Sequence, residues 1–190
     1  GREAVRRNPT HGYPYSNLAH AYRGVGQFDA ARHTAEQAVA LQIETLPTRC
    51  LLYELAVIAG DEQSAARHAT WARDRPREFD MIGARAQVAA WSGRVREARE
   101  LYEDAARMAD LRNLPDVGLS HLASANLMEL AYGNIEAATR LARRVLARKP
   151  SHDPRLRVAL ALAAAGSVGE AETIVQDLTA AHPEHTFINL

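Results

Sequence analysis

Apolar residues in this chain recur at helical spacing, in paired segments joined at glycines. Tyr15, Leu18, Ala19 and Tyr22 stand at i, i+3, i+4 and i+7, which is one stripe of one α-helix. Past Gly26 an alanine-rich stripe follows at Ala31, Ala35 and Ala38. The end of the chain repeats the arrangement: Val158, Ala159 and Leu162 lie before Gly166, and Ala171, Val175 and Leu178 after it as the facing stripe. No stretch sustains the period-two alternation of a strand, and the eight prolines fall at the joints. The pattern predicts an all-α fold built from antiparallel helix pairs.

Five glycines share one context: Gly26, Gly60, Gly93, Gly133 and Gly166, at successive spacings of 34, 33, 40 and 33 residues. Five places after each comes an alanine, namely Ala31, Ala65, Ala98, Ala138 and Ala171. A helix that ends on a left-handed residue can turn sharply into its neighbour, and glycine takes that conformation without a Cβ clash. The five glycines are therefore pivots of a repeat that fills residues 1–190 as one domain of about five helix–turn–helix units. Gly24-Val25-Gly26 belongs to this series and is no phosphate loop. The longer step before Gly133 requires either longer helices or a longer loop around Leu111 to Pro115. Asn126 and Glu129 occupy core-type positions of the fourth unit, which makes its register the weakest of the five. The opening, Gly1 to Pro9, reads as a helix end running into a proline stop, as in a fragment of a larger protein.

Composition narrows the function. Apolar residues make up 47% of the chain and aromatics 6%, so packing must rely on Ala, Leu and Val. The 23 basic and 23 acidic residues cancel, which removes any overall electrostatic drive toward nucleic acid or an anionic membrane. No apolar run reaches the length of a membrane span. Cys50 is the single cysteine, so no disulfide forms within the chain, and its helical neighbours Leu51 and Leu52 make it a buried small side chain. The composition suits the cytoplasm.

The glycines, the alanines five places on and the closing prolines Pro150 and Pro183 resemble the tetratricopeptide repeat (TPR), whose period is about 34 residues. Later units depart from that pattern where Tyr15 gives way to Arg49, Ile82, Leu122 and Arg155. The resemblance implies a right-handed superhelical solenoid, no catalytic chemistry, no cofactor, and a protein or peptide as partner. Three stretches are more narrowly similar to the C-terminal TPR region of bacterial serine/threonine protein kinases: Leu52 to Pro76, Glu129 to Asn134, and Leu160 to Thr186 with its His182-Pro183-Glu184-His185-Thr186. A kinase domain would then lie outside these residues. The chain has no glycine-rich phosphate loop, no catalytic Asp–Asn loop and no Asp-Phe-Gly, so no kinase activity is assigned to it. In such kinases a membrane span can separate catalytic and repeat regions, which gives an extracytoplasmic location as the alternative.

In a TPR stack the first helices line a groove that takes an extended peptide or a helix. By register the principal groove candidates are His20, Arg23, Glu54, Gln87 and Trp91, with Ser16, Cys50, Val57 and Leu127 beside them. The family's carboxylate clamp of Lys, Arg and Asn is represented at most by Asn17, His20 and Arg23, so a mixed apolar and polar groove is expected. Packing is the default for both Trp71 and Trp91, and Trp91 is the leading hot spot. His182 and His185 have suggestive spacing, but zinc needs three or four converging ligands, and none is expected. The basic run Arg67 to Arg77 reads as a solvated helix face and loop, and charged neighbours such as Glu97 with Arg96 or Arg99 as surface pairs. Self-association into a homo-oligomer and a sensory TPR region of a transcription regulator are the alternative functions.

Overall fold

The computed structural model of the chain describes residues 1–184, among which there are eleven α-helices and no strand. A short α1 (Arg2–Arg7) precedes ten longer helices. Of these α2 (Gly12–Gly24) pairs with α3 (Phe28–Ala40), α4 (Leu46–Ile58) with α5 (Glu62–Ala72), α8 (Pro115–Ala131) with α9 (Ile135–Ala147), and α10 (His152–Ala164) with α11 (Val168–Ala181), while α6 (Glu78–Trp91) packs on α4 and α7 (Val95–Leu111) on α8. Two compact units form, Gly1–Ser92 and Gly93–Leu190, and the boundary falls on the third pivot.

The five pivots have the same backbone solution. Gly26 has φ +75 and Gly133 has φ +74, and Gly60, Gly93 and Gly166 are left-handed as well. At Gly26 the glycine N–H donates to the Arg23 carbonyl and the Gln27 N–H reaches back to the Tyr22 carbonyl at 2.9 Å. This double closure satisfies the orphan carbonyls of α2, and it recurs at Gly60, Gly133 and Gly166. The next helix opens when the N–H of the alanine five places on donates to the residue just after the glycine, as Ala31 does to Gln27 and Ala138 to Asn134. All five alanines are buried. The fourth unit keeps this register in full. Its extra length goes into helices, since α7 and α8 have 17 residues each and only residues 112–114 separate them.

The turns from one pair to the next use a different device. Gln42, Asp74, Asn113 and Lys149 take φ values of 58, 61, 59 and 50 with no glycine present. A left-handed non-glycine residue costs about 1–2 kcal/mol, and asparagine and aspartate accept it most readily. Proline follows closely, at Pro76, Pro115 and Pro150, and Pro115 opens α8 while Pro47 sits in the first turn of α4. Thr45 caps α4 reciprocally with Thr48.

In the first unit, Ala19, Ala31 and Ala35 pack against Leu51, Leu52 and Leu55, so α4 closes over the α2–α3 pair. In the second, one apolar core runs from Ala106 through Leu119, Leu122, Ala142 and Val145 to Val158, Leu162 and Leu178. Close approach of α8 to α7 depends on Gly118, where an added Cβ would stand 2.9 Å from the Ala106 carbonyl oxygen. The facing stripe of α11 differs from the sequence expectation by one position. Ile174 fills the core beside Ala171 and Leu178, while Val175 is 39% exposed.

Candidate functional site

The first helices of unit 1 carry all five principal groove candidates. His20, Glu54 and Gln87 each stand six residues before a pivot, which puts them at one register position of α2, α4 and α6. Arg23 lies one turn beyond His20, and Trp91 one turn beyond Gln87. Gln87 is half-buried and Trp91 is 52% exposed, so Trp91 does not act in packing as its residue type suggests.

Around α2 and α4 the site is polar and tightly engaged. Arg23 Nη1 donates to Glu54 Oε2 at 2.8 Å, and Glu54 is buried. Burial pushes the Glu54 carboxyl above the usual range, and Arg23 offsets this only in part. The Arg23 Nε is also buried and has no hydrogen-bond partner. His20 is half-buried; burial lowers its pKa first and the Arg23 charge second, against a hydrogen bond with the Pro47 backbone. Arg23 is engaged by Glu54, burial disfavours the charged form of His20, and Asn17 is exposed, so the three are not assembled as a carboxylate clamp. Among the secondary candidates Ser16 and Cys50 are buried, and Val57 and Leu127 are half-buried. Burial raises the Cys50 thiol well above its ordinary value, which makes it an inert core thiol.

A second polar cluster joins α4 and α5. The Arg75 guanidinium lies 3.7 Å from the Trp71 ring centroid and that of Arg49 4.8 Å. Arg49 also pairs with Glu44 at 2.6 Å and stands 3.3 Å from His68 Nδ1. Burial and the Arg49 and Arg67 charges together pull His68 down to about 4. Trp71 packs beside the buried Cys50, Ala72, Met81 and Ala84, so the basic run is tied to the fold through its aromatic residue.

Sequence reasoning missed the polar network of unit 2. Glu129, a buried residue of α8, takes both carboxylate oxygens to Arg99 of α7 and also accepts from Asn134 at 2.8 Å. Arg99 therefore serves an interhelical pair, not the surface pair read from its neighbours. The Arg99 contact holds the Glu129 carboxyl below the usual range despite burial. Asn126 donates to the Ala138 carbonyl from a fully buried position, leaving its own Oδ1 without a partner. Outside, Arg144 grips Glu103 and Arg148 grips Asp110, each through two hydrogen bonds. The hint in the sequence was Asn126 and Glu129 at core-type positions of the fourth unit, since polar side chains buried there need partners.

Among the described residues no three or more His, Cys, Asp and Glu side chains converge as a metal site would require. His182 meets His152 edge-on at 5.5 Å, and His185 lies outside the described residues, as does the apolar stretch 187–190. No described helix is long and apolar enough to cross a membrane.

Comparison with known proteins agrees with this geometry. Residues 15–48 match the family model described as Tetratricopeptide repeat, one period spanning α2, α3 and the start of α4. Solved structures of similar fold include two forms of a Podosopora anserina putative kinesin light chain with nearly identical TPR-like repeats. A variant form is 22% identical with a TM-score of 0.55, covering 92% of this chain and 96% of that one. The other is 21% identical with a TM-score of 0.54, over 88% and 93%. No curated protein sequence matches the chain. The fold is that of TPR-like helical repeats.

Proposed function

We propose that this TPR-like chain is a non-catalytic protein-binding module, and that the first-helix face of unit 1 receives a segment of a partner protein. The observation that carries the reading is Trp91. It offers a half-exposed indole on the same helix face as Gln87, in register with His20 and Glu54 on the neighbouring first helices. Exposed large aromatics concentrate binding energy because they bury much area at little cost in rotamer entropy. The Arg23–Glu54 pair consumes its own charge, so the face favours an apolar or amphipathic segment over a free chain terminus. The similarity of Leu52 to Pro76 to kinase-associated repeats supports a place in a bacterial signalling protein, as the regulatory region of a serine/threonine kinase.

The test is selection of a random peptide library on the whole chain, followed by titration of the winning peptides. Trp91→Ala should weaken them at least tenfold, which corresponds to about 1.4 kcal/mol, while the chain stays folded, because half of the indole is already exposed. Peptides that bind Trp91→Ala as well as the parent chain would remove this face from consideration.

A further inference from the structure

Two arginines of unit 1 have no acidic partner, and both act on one histidine. Arg23 and Arg49 are paired with Glu54 and Glu44. Arg32 of α3 and Arg67 of α5, by contrast, have no carboxylate within ion-pair distance among the described residues, and their hydrogen bonds go to neutral groups. Arg32 Nη2 donates to the Leu55 carbonyl at 3.1 Å, and Arg67 Nη2 donates to Ser64 Oγ at 2.6 Å. Each guanidinium has five N–H donors, so most remain available. The one carboxylate that both arginines influence is Asp61. Its two oxygens are already taken by the Ser64 N–H and hydroxyl, in the cap of α5.

His68 follows Arg67 on α5 and meets Arg49 of α4, whose Nη1 stands 3.3 Å from its Nδ1. A guanidinium can only donate, so Nδ1 accepts and the proton of the neutral ring is on Nε2. Arg49 is fixed in that position, paired with Glu44 at 2.6 Å and stacked near the Trp71 ring. Nε2 is not among the buried polar atoms that lack a partner, although no group of the chain bonds to it, so it faces water. Burial first, then Arg49 from α4, Arg67 from α5 and Arg32 from α3, hold the ring neutral against the opposing charge of Asp61; no charge of α6 contributes. The cluster therefore combines a neutral N–H donor with three cations, while both of its acids are engaged elsewhere.

We infer that Arg32, Arg67 and the His68 Nε2–H bind a phosphate-type oxyanion, free or carried on a phosphorylated side chain, with Arg49 as a fixed cation on the far nitrogen of the ring. Guanidinium forks match the geometry of such an anion. A bound dianion would also offset the arginine charges and make the imidazole easier to protonate. The site is built by α3, α4 and α5, whereas Trp91 lies on α6, so its failure leaves the Trp91 reading intact.

The experiment follows the His68 ring resonances of the whole chain by NMR, identified by their loss in His68→Asn. Their titration midpoint should stand about one pH unit or more higher in sodium sulfate than in sodium chloride of equal ionic strength. At neutral pH, inorganic phosphate should shift the same resonances saturably. Arg67→Gln should weaken that binding about tenfold, and because Arg67 is exposed the fold stays intact. Arg96→Gln, which removes an exposed arginine of α7, should leave the binding unchanged. A phosphoserine peptide that binds more tightly than phosphate assigns the anion to a phosphorylated partner, and one that binds no better assigns it to the free ion; both support the site. Equal midpoints in the two salts overturn the proposal. Equal weakening by Arg67→Gln and Arg96→Gln does so too, since it would mean an adventitious ion only.

Discussion

Two buried glutamates, one in each unit, respond to burial in opposite ways. Glu54 of unit 1 has one hydrogen bond from Arg23, whose Nε remains unsatisfied, and its carboxyl is pushed up. Glu129 of unit 2 has two from Arg99 and a third from Asn134, and its carboxyl is held down. The sign reflects two differences: desolvation dominates at Glu54, while at Glu129 the Arg99 hydrogen bonds outweigh a smaller desolvation. In unit 2 the apolar core is continuous. In unit 1 the incompletely satisfied polar residues lie on the helix face that also carries Trp91. The buried carboxylate is thus the better satisfied one in unit 2, while unit 1 leaves the Trp91 indole half-exposed beside a strained polar pair.

The largest effect should come from the unit 2 core. Leu122 is fully buried, and Leu122→Ala should cost ~2–5 kcal/mol in denaturant unfolding through lost burial and a residual cavity. A cost below ~1 kcal/mol would mean that the core collapses around the deletion and is not close-packed there.

The glutamates give the next test. Glu129→Gln should cost ~1.5–3 kcal/mol at neutral pH, the range for hydrogen bonds to a charged group. Glu54→Gln should cost less, because folding disfavours its ionised form. The pH dependence separates them by sign. Glu129, with its lowered pKa, adds stability above the ordinary carboxylate range that is lost as pH falls through its folded value. Glu54, with its raised pKa, favours the fold on the acid side and loses that contribution as pH rises through its folded value. Equal costs for the two substitutions at neutral pH would dissolve the contrast.

His68 predicts a smaller effect confined to unit 1. Its pKa is lower in the fold, at about 4, than the ordinary value of about 6.5. The neutral ring is therefore favoured, and stability is lost as pH falls across that window. Solvent screening of a half-buried group limits the loss to the order of 1 kcal/mol. The loss should vanish in His68→Asn, and an unchanged acid slope in that variant would assign it to other groups. Smallest of all, Arg148→Ala removes a bidentate but exposed pair with Asp110 and should cost under ~1 kcal/mol, less still at high salt.

Much of the fold was legible because it is written in backbone terms. A glycine at each pivot and an alanine five places on state both a left-handed turn and a close helix crossing, and Gly26 with Ala31 is enough to place α2 against α3. Prolines marked the turns after α3, α5, α7 and α9, but their left-handed residues were not legible, since Gln42 and Lys149 carry no compositional sign of positive φ. Periodicity also placed Val175 inward, where Ile174 lies instead, because adjacent β-branched residues satisfy a helical stripe almost equally well. The site was legible only as register. His20, Glu54 and Gln87 could be aligned from their distance to a pivot, but pairing of Glu54 with Arg23 or of Glu129 with Arg99 depends on side-chain reach between helices.

The placing of the binding face in unit 1 is tested most directly by amide and indole resonances of the whole chain, titrated with a peptide selected on it. Binding at the proposed face should shift the Trp91 indole N–H together with amides around His20 and Gln87, leaving α8 to α11 undisturbed. Shifts confined to α7 to α11, with the Trp91 indole unmoved, would contradict the account.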